Sequence, residues 1–414
     1  MRARIVLLWA LSAACTHGTS ESSGAEASAA SPSEASPDAA SPVPAVVVDG
    51  HVDLPYRLTN EGPATEQALS EVAYGRAPGD FDYVRAKKGG LTAPFMSIYV
   101  AAEHQRTGDA GRVADELIDL VERLVAIAPE RFAIATSPDD VRSIVDSGRI
   151  ALGLGIENGA ALQRDLANVE HFRDRGVRYI TLTHAEDNAI CDSSYDDTGT
   201  WNGLSPFGHR VVERMNDGGV MVDISHVSDE AFWDVVEVTS APIIASHSSA
   251  RHFTPGFERN LSDEMIRAVA RDGGVVMVNF GSTFVSQRSR EYFDRRREAR
   301  DAFLASEGFE RDHPRVERFV GAWEAEHPMV LADVSDVADH IDHIASLVGV
   351  EHVGLGSDFD GVGPTLPNGL RSAADLPHLF DELQRRGYTE DDLRRIASEN
   401  VFRVWTAVEA LATF

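Results

Sequence analysis

The chain has 414 residues, 43% of them apolar, enough for one large domain or two to three ordinary ones. A formal net charge of −28 at pH 7 disfavours nucleic acid and anionic lipid surfaces as binding partners. The two cysteines, Cys15 and Cys191, exclude a disulfide scaffold.

The N-terminus reads Met1-Arg2-Ala3-Arg4, an almost wholly apolar run from Ile5 to Leu11, then Ser12-Ala13-Ala14 and Cys15. A charged start, a short apolar run and small residues make a secretory leader over residues 1–14. The run is too short to span a bilayer. A cysteine directly behind small residues resembles a bacterial lipoprotein signal, in which that cysteine is acylated; plain secretion is the alternative reading. Residues 15–44 are expected to be a disordered tether. From residue 16 onward they hold eight Ser, seven Ala and four Pro, and Val43 is their one large apolar residue. Such a segment cannot bury enough surface to offset its ordering entropy. As a flexible coil it would reach roughly 30 Å. The folded domain is expected over residues 45–414, exported and tethered to a membrane. No later segment is long and apolar enough to cross one.

Eight strand-like runs follow: Ala45–Asp49, Pro94–Val100, Ala151–Ile156, Arg178–Thr183, Val220–Ser225, Pro242–Ser246, Gly274–Phe280 and His352–Ser357. The first runs into Asp49-Gly50, a turn signal. Most runs are continuously apolar and β-branched, the mark of strands covered on both faces. Helical patterns lie between them. Val113–Ile127 has helical spacing, and Ser137-Pro138-Asp139-Asp140, Ser228-Asp229-Glu230 and Ser262-Asp263-Glu264 are helix starts. Alternation of this kind predicts an α/β chain, a (β/α)8 TIM-like barrel. A doubly wound open sheet is the other candidate, but no Gly-rich phosphate turn follows the first strand. The stretch from Phe284 to about Met329 predicts a helical insertion after strand 7, a solvated helical pair. Two closing helical stretches, Ala373–Arg386 and Thr389–Leu411, are expected to pack against the outside of the barrel.

The strand ends carry the chemistry. The first ends in His51-Val52-Asp53, the third in Glu157-Asn158-Gly159, the fourth in His184, the fifth in Asp223-Ile224-Ser225-His226, the sixth in His247 and the eighth in Asp358-Phe359-Asp360. Barrels of this kind build their active sites at the C-terminal ends of their strands. In an extended chain residues i and i+2 point the same way, so His51 and Asp53 can aim at one point. Imidazoles and carboxylates suit zinc or a similar ion, and there are enough here for two sites. Two such cations can share a water and lower its pKa. A further Asp can carry the proton, and a further His can donate to an oxyanion. The residues thus spell metal-assisted hydrolysis of an acyl or related bond.

These motifs resemble those of the membrane (renal) dipeptidases, peptidase family M19 of the amidohydrolase superfamily. The resemblance rests on Asp49-Gly50-His51-Val52-Asp53-Leu54-Pro55, Gly155-Ile156-Glu157-Asn158-Gly159, Leu182-Thr183-His184, Asp223-Ile224-Ser225-His226, Ser246-His247-Ser248-Ser249-Ala250, Arg259-Asn260 and Gly356-Ser357-Asp358-Phe359-Asp360-Gly361. It spans residues from about 45 to 410. It implies a binuclear zinc site in which His51 and Asp53 bind one ion, His226 and His247 bind the other, and Glu157 bridges them. It also implies that His184 serves the oxyanion and substrate, and that Arg259 pairs with the C-terminal carboxylate of a dipeptide. Asp358 would handle the proton and meet the free amino group. The implied activity is hydrolysis of free dipeptides, some with a C-terminal D-residue, by a zinc-bridging hydroxide. A homodimer is implied as well.

Two other functional classes fit parts of the pattern. A lactonase, phosphotriesterase or deaminase would use the same scaffold, but strand four offers His184 and no lysine to become a bridging carbamate. A non-catalytic peptide-binding lipoprotein would not need every ligand position filled. His340 and His343, three apart on an expected helix Val337–Leu347, read as a solvated face. Cys191 reads as a free, partly buried thiol, and the acidic loop Asp192–Thr200 as a candidate cleft lining.

Overall fold

The apolar runs form nine parallel strands: β1 (Val48–Val52), β2 (Ala93–Tyr99), β3 (Phe132–Ile134), β4 (Ile150–Glu157), β5 (Val177–Thr181), β6 (Met221–Asp223), β7 (Ile244–Ala245), β8 (Val275–Val278) and β9 (Val353–Leu355). This computed structural model describes residues 42–413 apart from 61, 63, 76 and 312. The leader, the lipidation candidate Cys15 and most of the expected tether lie outside the described residues. Eight strands follow one another in the order β1-β2-β4-β5-β6-β7-β8-β9, and β3 pairs with the first half of β4. The ring of eight with its surrounding helices is a (β/α)8 TIM-like barrel, as expected from the alternation of patterns.

The seam between β9 and β1 is closed by polar groups just past the end of β9. Asp358 N donates to His51 O at 3.1 Å, and Asp53 N to Phe359 O at 2.8 Å. The Asp49 carboxylate stitches the same seam: it accepts from Ser357 N at 2.8 Å and from the Ser357 hydroxyl. Asp49-Gly50 is therefore not a turn. It lies inside β1, three residues further along than the expected strand. Gly50 is needed for packing, because a Cβ there would sit 2.4 Å from both Ser246 O and Met277 Sδ.

Side chains from the early part of the strands fill the barrel interior: Val48, Phe95, Tyr179, Met221, Ile244, Val275 and Met277. The final helix, Asn400–Glu409, packs Phe402, Val404 and Trp405 onto this interior cluster. The Trp405 and Phe95 rings are 5.2 Å apart. That corrects the expectation that the closing helix packs outside: it stoppers the end of the barrel opposite the chemistry. Truncating a buried Trp of this kind to Ala costs about 3–5 kcal/mol.

After β8 a short helix, Ser282–Val285, leads into the antiparallel pair Gln287–Glu307 and Pro314–Glu326. Ser289, Tyr292 and Val316 are its only fully buried residues among those described. The pair is held by a Phe303–Phe319 stack at 4.4 Å and an Arg296–Glu324 ion pair at 2.6 Å. The expected solvated helical insertion is present.

His340 departs from expectation. It lies on the helix Val334–Val348 but is completely buried. Its Nδ1 accepts from Ala250 N at 3.0 Å and its Nε2–H donates to Val285 O at 3.2 Å. The helix face read as solvated is covered by the loop after β7 and by the start of the insertion. His343 is half-buried, paired with Asp263 at 2.8 Å and stacked on His252. Cys191 is fully rather than partly buried. No helix among the described residues is long and apolar enough to cross a membrane.

Candidate metal centre and substrate cleft

Seven of the residues singled out in the sequence converge at one end of the barrel. Glu157, the last residue of β4, is at their centre. Its Oε2 is 3.4 Å from His51 Nε2. Its Oε1 is 3.0 Å from His226 Nε2, 3.3 Å from His247 Nε2 and 3.5 Å from His184 Nε2. His51 Nε2 is also 3.4 Å from Asp53 Oδ2. One ligand atom each from His51, Asp53 and Asp358 lie within 4.8 Å of one another, as do those of His51, Glu157 and His247, and those of Glu157, His184 and His226. His51 and Asp53 do point to one place, although Asp53 is already the N-cap of the next helix, Leu54–Thr59.

The groups behind these ligands set which nitrogen is free. Tyr179 donates its hydroxyl hydrogen to Gly50 O at 3.0 Å, so the same oxygen accepts from His51 Nδ1 at 3.0 Å. The Nε2 lone pair of His51 therefore faces Glu157 and Asp53. The Ser246 hydroxyl donates to Asp223 Oδ2 at 2.6 Å and accepts from His247 Nδ1 at 2.7 Å, which turns the Nε2 lone pair of His247 to the cluster. Fixing a tautomer through the remote ring nitrogen is the usual work of groups behind metal ligands. Ser97 on β2 donates to Glu157 Oε2 at 3.2 Å.

The charge balance agrees. Burial pushes the Glu157 carboxyl up, but the imidazoles of His51, His184, His226 and His247 outweigh it and hold it well below the usual range. Burial, then the nearby Arg259 and His184, hold His226 well below an ordinary imidazole; burial, His51 and Arg259 do the same for His247. His51 goes the other way: despite its burial, Tyr179, Glu157 and Asp53 raise it well above an ordinary imidazole, and a cation would take the place of the proton on its Nε2. An ionised carboxylate beside the neutral imidazoles of His226 and His247 is a donor set for divalent cations. His51 Nε2 is buried without a hydrogen-bond partner. These residues fit the binding of metal ions at the Glu157 cluster.

The backbone is bent to present these groups. His226, Asp358 and Asn158 have φ of 72°, 62° and 81°. Side chains other than glycine rarely adopt such angles, and such strain concentrates at functional sites.

Above the cluster opens a cavity of about 950 Å³, lined by Asp53, Glu157, His184, His226, His247 and Asp358 on its floor and by Tyr56, Tyr99, Tyr195, Phe284 and Val362 on its walls. Of the acidic loop, Tyr195 reaches the wall, while Asp192 turns inward to the backbone N–H groups of Trp201 and Gly203. Burial, then Asp53, pushes the Asp358 carboxyl up to about 7. Asp358 Oδ2 accepts from Asn279 Nδ2 at 2.8 Å. Arg259 stands behind His247, bound to His247 O at 2.9 Å and Ser248 Oγ at 2.6 Å. It is buried, and no described carboxylate lies within ion-pair distance of it; its Nε has no hydrogen-bond partner. A buried guanidinium without a counter-charge is costly and invites an anion.

Sequence reading missed Tyr179, Ser97 and Asn279. Asn279 was detectable: it is the polar residue immediately behind an apolar strand, the same signal that picked out Glu157 and His226. Tyr179 and Ser97 lie mid-strand and carried no such mark.

A sequence profile of the membrane dipeptidases (peptidase family M19) matches residues 42–413. An uncharacterized dipeptidase of Schizosaccharomyces pombe is 31% identical over 376 residues, covering 88% of this chain and 81% of its own. The crystal structure of the probable dipeptidase PvdM from Pseudomonas aeruginosa superposes with a TM-score of 0.76 at 26% identity, covering 89% of this chain and 96% of that one. A metallopeptidase from Rhodobacter sphaeroides, liganded with a phosphinate mimic of the dipeptide L-Ala-D-Ala, gives a TM-score of 0.70 at 26% identity, covering 88% and 99%.

Proposed function

Because the chain belongs to the membrane dipeptidase family, peptidase family M19, we propose that it hydrolyses the peptide bond of free dipeptides with the help of two zinc ions. The observation that carries this reading is the buried, uncompensated Arg259 behind His247, with Asp358 lining the cleft that His247 also lines. A free dipeptide has one carboxylate and one amine to offer such a pair. The Rhodobacter relative's dipeptide mimic ends in D-Ala, which supports including substrates with a C-terminal D-residue.

His51 and Asp53 would hold one ion, His226 and His247 the other, and Glu157 both. Ions so placed polarise a carbonyl and bring the pKa of a water toward neutrality. The chain's own groups supply the rest. Arg259 takes the C-terminal carboxylate in charge-assisted hydrogen bonds and so fixes the register of the peptide. The neutral ring of His184 offers an N–H to the carbonyl oxygen as negative charge develops on it. Asp358 accepts the proton of the attacking water and returns it to the nitrogen of the leaving amine as the C–N bond breaks. It also borders the place of the substrate's free amino group. Tyr56, Tyr99, Tyr195 and Phe284 wall off the side chains.

The test is metal content of the domain from residue 45 onward, with turnover of L-L and L-D dipeptides and of their C-terminal amides. About two zinc per chain with cleavage of the free acids but not the amides is the expected result. Two metals with no dipeptide cleavage would overturn the proposal. From the leader alone we also infer export and acylation at Cys15. Mass analysis of the mature N-terminus checks it, and an unmodified or uncleaved Cys15 sinks it. A homodimer, implied by the family resemblance, is checked by light scattering.

A further inference from the structure

β8 hands the chain to Asn279, a completely buried residue. Its Oδ1 accepts from Gly281 N at 2.7 Å. That contact allows one amide orientation only, so the group facing Asp358 Oδ2 at 2.8 Å is the Nδ2 donor. The other oxygen of Asp358 lies beside Asp53. A Cβ placed on Gly361 would be 2.1 Å from Asp358 Oδ1 and 2.2 Å from Asp53 Oδ2. The side groups around Asp358 are thus Asn279 on one oxygen and Asp53 with the His51–Glu157 cluster on the other.

A carboxylate here has two uses that exclude each other. Its ligand atom is within 4.8 Å of those of His51 and Asp53, so it has the reach to become a third ligand to their cation. To carry a proton it must instead keep an oxygen uncommitted. The χ2 torsion of Asp is broad and two-fold, so the side chain itself does not choose. We propose that Asn279 is the positioning residue that fixes this carboxylate: its amide engages Asp358 Oδ2, so that Oδ1 alone faces Asp53 and His51 and the side chain is held from closing on a cation through both oxygens, as the proton carrier. The Asn279 amide also leans toward His247 O at 3.5 Å, the carbonyl to which Arg259 is bound, so the two ends of the substrate site share a support.

The inference rests on the dipeptidase reading, and a double-mutant cycle tests the two separately. Asn279→Asp keeps an acceptor for Gly281 N at nearly constant shape and replaces the neutral amide donor by a carboxyl that competes with Asp358 for one proton. Its kcat for a good dipeptide should fall about 10- to 100-fold, the range for groups behind an active site. KM should change little, and metal content should equal that of wild type. In an Asp358→Asn background the same substitution should cost nothing further, because the residue acts through Asp358. Equal losses in both backgrounds, undiminished kcat, or loss of metal in Asn279→Asp would each overturn the assignment. Should Asn279→Asp fail to fold, Asn279→Ser, smaller and uncharged, takes its place in the cycle with the same outcomes. Metal-loaded wild type without dipeptide turnover defeats the dipeptidase reading and this inference with it; turnover with additive losses defeats this inference alone.

Discussion

The Tyr179 hydroxyl and His51 Nδ1 are 3.0 Å apart inside the barrel, and that contact decides which nitrogen of His51 faces the metal centre. The oxygen can accept from His51 because its own hydrogen is spent on Gly50 O. Tyr179→Phe removes the acceptor and leaves the ring volume. The protein should fold normally while its affinity for metal falls about 10- to 100-fold. Competition with a coloured chelator measures this directly, and an unchanged affinity would show that β1 alone orients His51.

His226→Ala takes one imidazole from the crowded side of Glu157. Turnover should fall by roughly 10³-fold or more, since in the proposed mechanism the cations held here supply the activated water. Metal per chain, read by mass spectrometry, should drop from about two toward one. Full activity in a variant that has lost metal is the result that rejects the site. Chelation of the wild-type protein should lower its thermal midpoint, because ions that bind only the folded chain stabilise it by mass action.

Arg259→Met removes the buried cation at nearly constant volume. KM for free dipeptides should rise about 100-fold, in line with the 2–5 kcal/mol cost of truncating one member of a buried charge pair. Binding of C-terminal amides, which lack the carboxylate, should not change. Lysine is expected to restore only part of the loss, as it cannot offer a planar fork. An unchanged KM in Arg259→Met would mean that the substrate's carboxylate is held elsewhere or is not needed.

Stability should fall in mild acid in part through His340. Burial lowers its pKa from an ordinary 6.5 to about 3. Between those values the unfolded chain binds a proton at this residue and the folded chain does not. Stability from this source is complete above pH 6.5 and declines as the pH drops toward 3, by about 1.4 kcal/mol per unit. His340→Asn will be less stable than wild type at pH 7, and the gap should narrow between pH 6.5 and 4.5. Urea titrations across that range check it; a constant gap means that His340 is charged in the folded state.

Much of this site was readable in the chain because barrel strands advertise their ends. An apolar run that stops at His, Glu or Asp marks a position on the working face, and His51, Glu157, His184, His226, His247 and Asp358 were all found in that way. What stayed hidden acts between strands. Tyr179 supports a histidine 128 positions away, and Asp223 reaches Ser246 across 23. Neither partner leaves a trace in the other's local pattern. The three-residue β3 is too short for periodicity, and the buried His340 looked solvated because its cover arrives from two distant segments. The closing helix had the right pattern but the wrong place: amphipathicity reports that a face is buried and not against what.

The Asp49 seam bears on how the molecule comes into being. One carboxylate joins the first strand of the barrel to Ser357, 308 residues later. Neither the ring nor the ligand cluster around Glu157 can close until nearly the whole polypeptide has been made. Long-range closure of this kind is slow. A nascent chain therefore carries His51 and Asp53 as scattered, weak ligands. High-affinity metal capture begins only where the finished chain folds, and the ions available in that compartment are the ones the enzyme will hold.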